Sequence, residues 1–432
     1  MKIASLSPDQ APPISVPLRF FAVAPVFLLL AALLLATGDG NPFANPHSPA
    51  LLAATHCITL GFMAMIMLGA IQQVLPVLIG SQISAPRLVA WLTMLPLMAG
   101  ALLLTSGFAL SKPELLNLSW PILGLAFLVF IGASLFSLAR AKAKNPTRTA
   151  ILLSILSLAG AVTLGMLLAR GYAAGLSIPY ARLATAHISL ALGGGVMLLI
   201  IGVSYQVVPM FQLTPNYPKR LTTHLAPAIF AALLLSLIPL LFEPAPRWPG
   251  LVAEILFWIL ASGFAGVTLK LQSQRRRRVP DATLSFFRLG MLALIIAALF
   301  SLASLLPTSY SEHLRTLSVL TFLLGFAMSV IQGMLYKIIP FLVWFHLFRG
   351  GVNAIKVGIP NMKEIIPERW MWWHLWLHGS TFIAALLATM WDIAAWPVML
   401  GLLLQGILLG YAIFVGISVY RNTLRRIEQV SA

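Results

Sequence analysis

The stretch Gly61-Phe-Met-Ala-Met-Ile-Met-Leu-Gly69-Ala-Ile-Gln72-Gln73-Val-Leu-Pro76 decides the fold, because the chain writes it three times. It returns as Gly194-Gly-Val-Met-Leu-Leu-Ile-Ile-Gly202-Val-Ser-Tyr205-Gln206-Val-Val-Pro209. The third copy is Gly325-Phe-Ala-Met-Ser-Val-Ile-Gln-Gly333-Met-Leu-Tyr336-Lys337-Ile-Ile-Pro340. In each copy the glycines are eight apart and the proline follows seven later; the copies lie 133 and 131 residues apart. A repeat of this length in an apolar chain predicts three similar helical bundles. Paired glycines suit close helix packing, and the prolines suit helix ends.

Around these copies the chain is 59% hydrophobic and 9% charged over 432 residues, more apolar surface than a soluble domain hides. Twelve apolar runs are long enough to cross a bilayer, which takes about 20 residues. They fall near 18–37, 50–80, 88–110, 118–139, 149–169, 182–212, 224–243, 250–270, 284–306, 316–346, 371–390 and 396–420. Backbone groups cannot stay unpaired in hydrocarbon, so the runs are helices; they lack the alternation of a membrane β-barrel. The expected fold is all-α: one integral membrane domain, 1–432, of about twelve transmembrane helices. It divides into three four-helix pseudo-repeats, about 17–145, 146–280 and 281–420, and the quoted stretch is the second span of each.

The net charge of +17 does not form a nucleic-acid-binding face. Alternate loops hold 22 basic residues, Lys2 to Arg426, against five, Lys112, Arg170, Arg182, Arg247 and Arg315, in the opposite set. That bias predicts both termini in the cytoplasm of a bacterial inner membrane. Met1 to Val16 has no apolar core of a signal peptide. Arg275 to Arg278 reads as a retention signal or a contact for anionic lipid, and Ala354 to Arg369 as a surface-lying segment. The lone Cys57 excludes an internal disulfide and a multi-cysteine site.

Ionisable groups inside a membrane are costly, which makes each a functional candidate. His56 and His187 lie near the start of the second and sixth spans, each about 20 residues, or roughly 30 Å of helix, before its proline. His56 stands five residues before its repeat glycine and His187 seven, so they leave their helices on different faces. Two imidazoles so placed can grip a haem or help hold a metal; the plainer alternative is that each bonds a carbonyl or headgroup water. His374 and His378 share one face at metal-ligand spacing, but Trp370, Trp372, Trp373 and Trp376 around them read as an interfacial belt. His346 also reads as interfacial, and His47, His224 and His313 as solvated. Gln73, Gln206 and Lys337 hold one offset in the three copies; they form either a polar cluster along a path or interhelical bonds with a snorkelling lysine.

The span count, the inner termini, the threefold repeat and the histidines of the second and sixth spans together resemble the haem–copper oxidase subunit I superfamily. Nitric-oxide reductases and nitric-oxide-response membrane proteins belong to that set. Thr55-His56 through Pro76, Tyr205 through Thr214 and Tyr336 through His346 look like a group of proteobacterial membrane proteins within it. The resemblance implies that His56 binds a low-spin haem and that His187, matching by position, binds copper. Paired histidines on the seventh and tenth spans are absent: His224 stands alone, and Ser318 and Leu320 hold the comparable depth. The tyrosine that oxidases carry one turn after the sixth-span histidine is absent too. The expectation is therefore a haem b- and/or copper-binding inner-membrane protein, with lipid and respiratory-chain or electron-transfer proteins as partners and no nucleic acid. It is not a complete terminal oxidase. A small-solute or ion carrier, or a non-catalytic respiratory assembly partner, remains open as a rival.

Overall fold

The computed structural model describes residues 11–38, 40–141, 144–242, 246, 248–276, 279–349, 351–391 and 393–431. Arg277 and Arg278 of the basic run lie outside the described residues, as do Lys2, Lys142 and Arg247 among the orientation charges. Among the described residues twelve long helices follow one another, here α1 to α12. They are Ser15–Leu35, Pro49–Ile79, Pro86–Ala109, Pro113–Arg140, Pro146–Ala174, Tyr180–Gln212, Lys219–Leu241, Trp248–Ser273, Ala282–Ser304, Ser311–Phe348, Glu368–Met390 and Trp396–Ser431. No strand occurs among the described residues. Polar N-caps with proline at the first helical position open α2 (Ser48, Pro49) and α5 (Asn145, Pro146). Gly80, at φ 68°, closes α2 in the left-handed conformation that glycine adopts without strain.

The protein is an all-α polytopic membrane protein. Eleven of the helices are long and apolar enough to cross a bilayer. The exception is α11, expected as a span: it has the length, but its first half, Glu368-Arg-Trp-Met-Trp-Trp-His-Leu-Trp-Leu-His378, is too polar. Exposed Leu, Ile, Phe and Trp on the outward faces meet the hydrocarbon. Between α10 and α11 the chain forms short helices Gly351–Val357 and Met362–Ile365. Pro367 then caps α11, in keeping with a broken surface segment.

The repeated stretch has a conformation of its own. α2, α6 and α10 each widen into an eight-residue π-helical segment: Cys57–Ala64, Ser189–Val196 and Thr321–Met328. The starts of these segments are 132 residues apart both times. Such wide turns are rare, and they leave backbone groups outside the i to i+4 ladder. The repeat glycines explain the packing beside them. Gly61 and Gly69 lie against Phe27 and Phe20 of α1, where an added Cβ would come within 2.0 and 2.7 Å of ring or Cβ atoms. Gly194 and Gly202 meet Ser157 and Ala150 of α5 at 2.3 and 2.7 Å in the same sense. Gly325 and Gly333 meet Ala293 and Phe286 of α9 at 2.7 and 2.5 Å. Only hydrogen fits at these six positions, so the second helix of each four is pressed onto the first.

Grouped by fours, the helices form a ring. α4 packs on α5, α8 on α9, and α12 returns to pack on α1. α2, α6 and α10 lie deepest, with 72%, 61% and 72% of their apolar windows buried. The loops that follow them mark the end of the bundle rich in Arg and Lys, called the basic end below.

Candidate functional site

At the end opposite the basic loops, His56 closes the last α-helical turn of α2 before its π segment. Its Nδ1 lies 2.8 Å from the Leu52 carbonyl one turn back. A carbonyl only accepts, so Nδ1 carries the proton and Nε2 keeps its lone pair. His187 on α6 is held in the same way from another helix: its Nδ1 donates to the Ala161 carbonyl of α5 at 2.8 Å. Gly165, one turn along α5, gives that ring room; a Cβ there would sit 2.9 Å from His187 Cε1. The Phe108 ring lies 5.4 Å from the His56 ring. Both imidazoles are half-buried. The structure thus gives the two histidines singled out in the sequence the same kind of carbonyl anchor. Neither Nε2 has a hydrogen bond among the described residues. Nor do the described residues contain a group of three or more His, Cys, Asp or Glu able to hold a metal.

The third four-helix group has the same hydrogen bond without the imidazole. Ser318 on α10, seven residues before Gly325 as His187 is before Gly194, donates through Oγ to the Ala297 carbonyl of α9 at 2.8 Å. The fold supplies this carbonyl in both groups, and the sequence decides what meets it.

A second polar cluster lies where α10, α11 and α12 meet. The belt reading of His374 and His378 fails: these rings are 0% and 2% exposed, while Trp373 and Trp376, on the other face, are 59% and 73% exposed. Trp370 and Trp372 are half-buried, so only Trp373 and Trp376 of the four face outward. His374 Nδ1 and the Tyr336 hydroxyl are 2.8 Å apart. His378 Nδ1 donates to Gln405 Oε1 at 2.9 Å, so its Nε2 accepts from the Ser329 hydroxyl at 2.9 Å. Gln332 donates to the same Gln405 oxygen at 3.0 Å, and Gln405 donates to Thr381 Oγ1 at 3.0 Å. Ser318, Thr321, Ser329, Gln332 and Tyr336 recur at helical spacing down one buried face of α10, with Gly325 between. Three atoms here are buried without a partner: Thr321 Oγ1, Gln332 Oε1 and His374 Nε2. That buried stripe was present in the sequence as polar residues three and four apart. The surrounding tryptophans drew the reading of α11 away from it.

No hydrogen bond joins Gln73, Gln206 and Lys337. Gln73 is buried with both amide atoms unpartnered, and Gln206 is exposed. Lys337 does not reach free to the surface but donates to Asp281 Oδ2 at 2.9 Å. Asp281 also caps α9, accepting from the amides of Thr283 and Leu284. Burial alone would raise its carboxyl, but the Thr283 hydroxyl and the Lys337 ammonium hold it below the ordinary carboxylate range. His346 sits between the carbonyls of Leu342 at 2.9 Å and Pro12 at 3.1 Å, fastening the segment before α1 to α10. His47, His224 and His313 are exposed, as their positions suggested.

Compared with known proteins, the chain matches no family model, and no curated protein matches its sequence.

Proposed function

We propose that this membrane protein holds a redox-active metal centre, haem iron or copper, between His56 and His187. The observation that carries the reading is the matched presentation of the two imidazoles. Each has Nδ1–H tied to a carbonyl, which fixes the tautomer and orients the ring, and each leaves Nε2 free, as metal-binding histidines do. Two donors suit particular metals. A structural zinc site takes four protein ligands, which this set does not offer. Haem or a cuprous ion would take His56 and His187 as its two protein ligands. Either group would supply one-electron exchange. The chain's part is to orient both rings and, through the Gly165 gap, to admit the His187 ring.

On this reading the protein is a relative of haem–copper oxidase subunit I in a bacterial inner membrane. The basic end and both termini are cytoplasmic, and the metal lies toward the outer surface. It serves electron transfer, gas or metal sensing, or respiratory assembly rather than oxygen reduction. Exposed His224 on α7 and Ser318 on α10 replace the further histidines that reduction would need. Purification from haem- and copper-replete cells tests the reading. The protein carries a Soret band or about one copper per chain, and the His56→Ala, His187→Ala double variant loses it. A colourless, copper-free wild type overturns it.

The polar stripe on α10 favours one rival, a proton or small-solute path through the third four-helix group. Flux into liposomes that Gln332→Leu abolishes supports that path; absence of flux in the wild type removes it.

A further inference from the structure

The three copies carry a second set of equivalent residues: Gln72, Tyr205 and Tyr336 each stand three residues after the second repeat glycine, on the basic side of α2, α6 and α10. Beside two of them a ring from farther along the chain fills the groove. The Tyr217 ring lies 5.5 Å from that of Tyr205, in the link to α7, and its hydroxyl bonds Thr268 Oγ1 at 2.9 Å. The His374 ring lies 5.6 Å from that of Tyr336, and its Nδ1 takes the Tyr336 hydroxyl. Both plugs are single rings with a polar edge, and both are buried.

Among the described residues that line it, the first groove has no such ring. Next to Gln72 is a cavity of about 200 Å³, walled by Pro76 of α2, by Gln82 and Ile83 ahead of α3 and Pro86 at its start, and by Pro12 and Pro13. Gln72 is in the wall, 1% exposed, and neither atom of its carboxamide has a partner. A buried amide left so costs about 1–3 kcal/mol, which a ligand with a polar edge recovers. A cavity of about 150 Å³ holds a benzene, so this one has room for one substituted ring and falls below drug-sized sites. The chain offers no ring of its own from the preceding segment, since residues 1–10 contain no aromatic.

We propose that this cavity binds a single aromatic or quinonoid ring bearing hydroxyl or carbonyl oxygen, taken where the other two grooves hold Tyr217 and His374. The ring comes from a membrane hydroquinone or from a free phenol. Gln72 recognises it, since a carboxamide both donates and accepts. The Pro12–Pro13 rim, fastened by His346, covers it. The site does not depend on a metal at the opposite end.

Calorimetry on the purified full-length protein tests this, with trimethylhydroquinone as the soluble probe and an isoprenyl-tailed hydroquinone in nanodiscs as the lipid-borne one. Saturable binding of one ring per chain is expected. Gln72→Leu weakens it about tenfold. Ile83→Tyr fills the space and abolishes it while keeping the wild-type melting temperature. Binding of the tailed probe alone assigns the ring to the membrane; equal binding of the untailed probe assigns it to a free phenol. If neither probe binds the wild type, or if both variants bind like the wild type, the proposal is wrong.

Discussion

Replacing Gly61 by alanine probes one of the closest helix approaches among the described residues. The new methyl carbon would stand 2.0 Å from Phe27 Cδ1, 2.1 Å from Cγ and 2.6 Å from Cβ. Carbon atoms rest at about 3.5–4.0 Å, so the overlap exceeds an ångström. Rotating the Phe27 ring does not relieve it, because Cβ is fixed by the backbone of α1. Phe27 is also 2% exposed and has no outlet. α1 and α2 must therefore part, and overpacking of this kind costs about 1–3 kcal/mol, more where backbone moves. Alanine returns about 1 kcal/mol of helix propensity, leaving a net loss of about 2 kcal/mol. Gly263→Ala is the control: nothing lies within 4 Å of its Cβ, so it keeps the gain of about 1 kcal/mol. Unfolding in mixed micelles should separate the two variants by about 3 kcal/mol. Adding Gly61→Ala to Phe27→Ala should reverse sign and stabilise, since the methyl then enters the void left by the ring. A Gly61→Ala protein at least as stable as the wild type would refute the packing argument.

Gln405→Leu strands the His378 Nδ1–H and the Gln332 amide, and should cost about 1–3 kcal/mol. Combined with His378→Leu it should cost clearly less than the two single changes added; strict additivity in thermal unfolding would argue against a coupled network. Asp281→Asn should destabilise modestly at neutral pH, since the pair is partly exposed. The native carboxyl has a lowered pKa, so its contribution is present above the ordinary carboxylate value of about 4 and is lost as pH falls through the native value. The melting gap between the wild type and Asp281→Asn should therefore close in acid, and a gap that widens there would contradict the assignment.

Much of the architecture was legible because the bilayer makes it so. Long apolar runs have one way to satisfy their backbones, and the repeated glycines fix where helices touch. α11 was harder: its length reads as a span, yet Trp and His lower its hydropathy, and which side each faces depends on α10 and α12. His56 and His187 stood out by rarity and depth, but their acceptors did not. Leu52 is local, whereas Ala161 is 26 residues away on a different helix. Lys337 misled for the same reason, since its partner Asp281 is 56 residues earlier. Offsets within a repeat find equivalent places; the contacts made there come from other helices.

Because α12 returns to α1, the bundle has three junctions between four-helix groups, two crossed by a covalent link and one not. A gene that starts at Pro146 and links the end of α12 to the segment before α1 encodes the same helix neighbours in a rotated order.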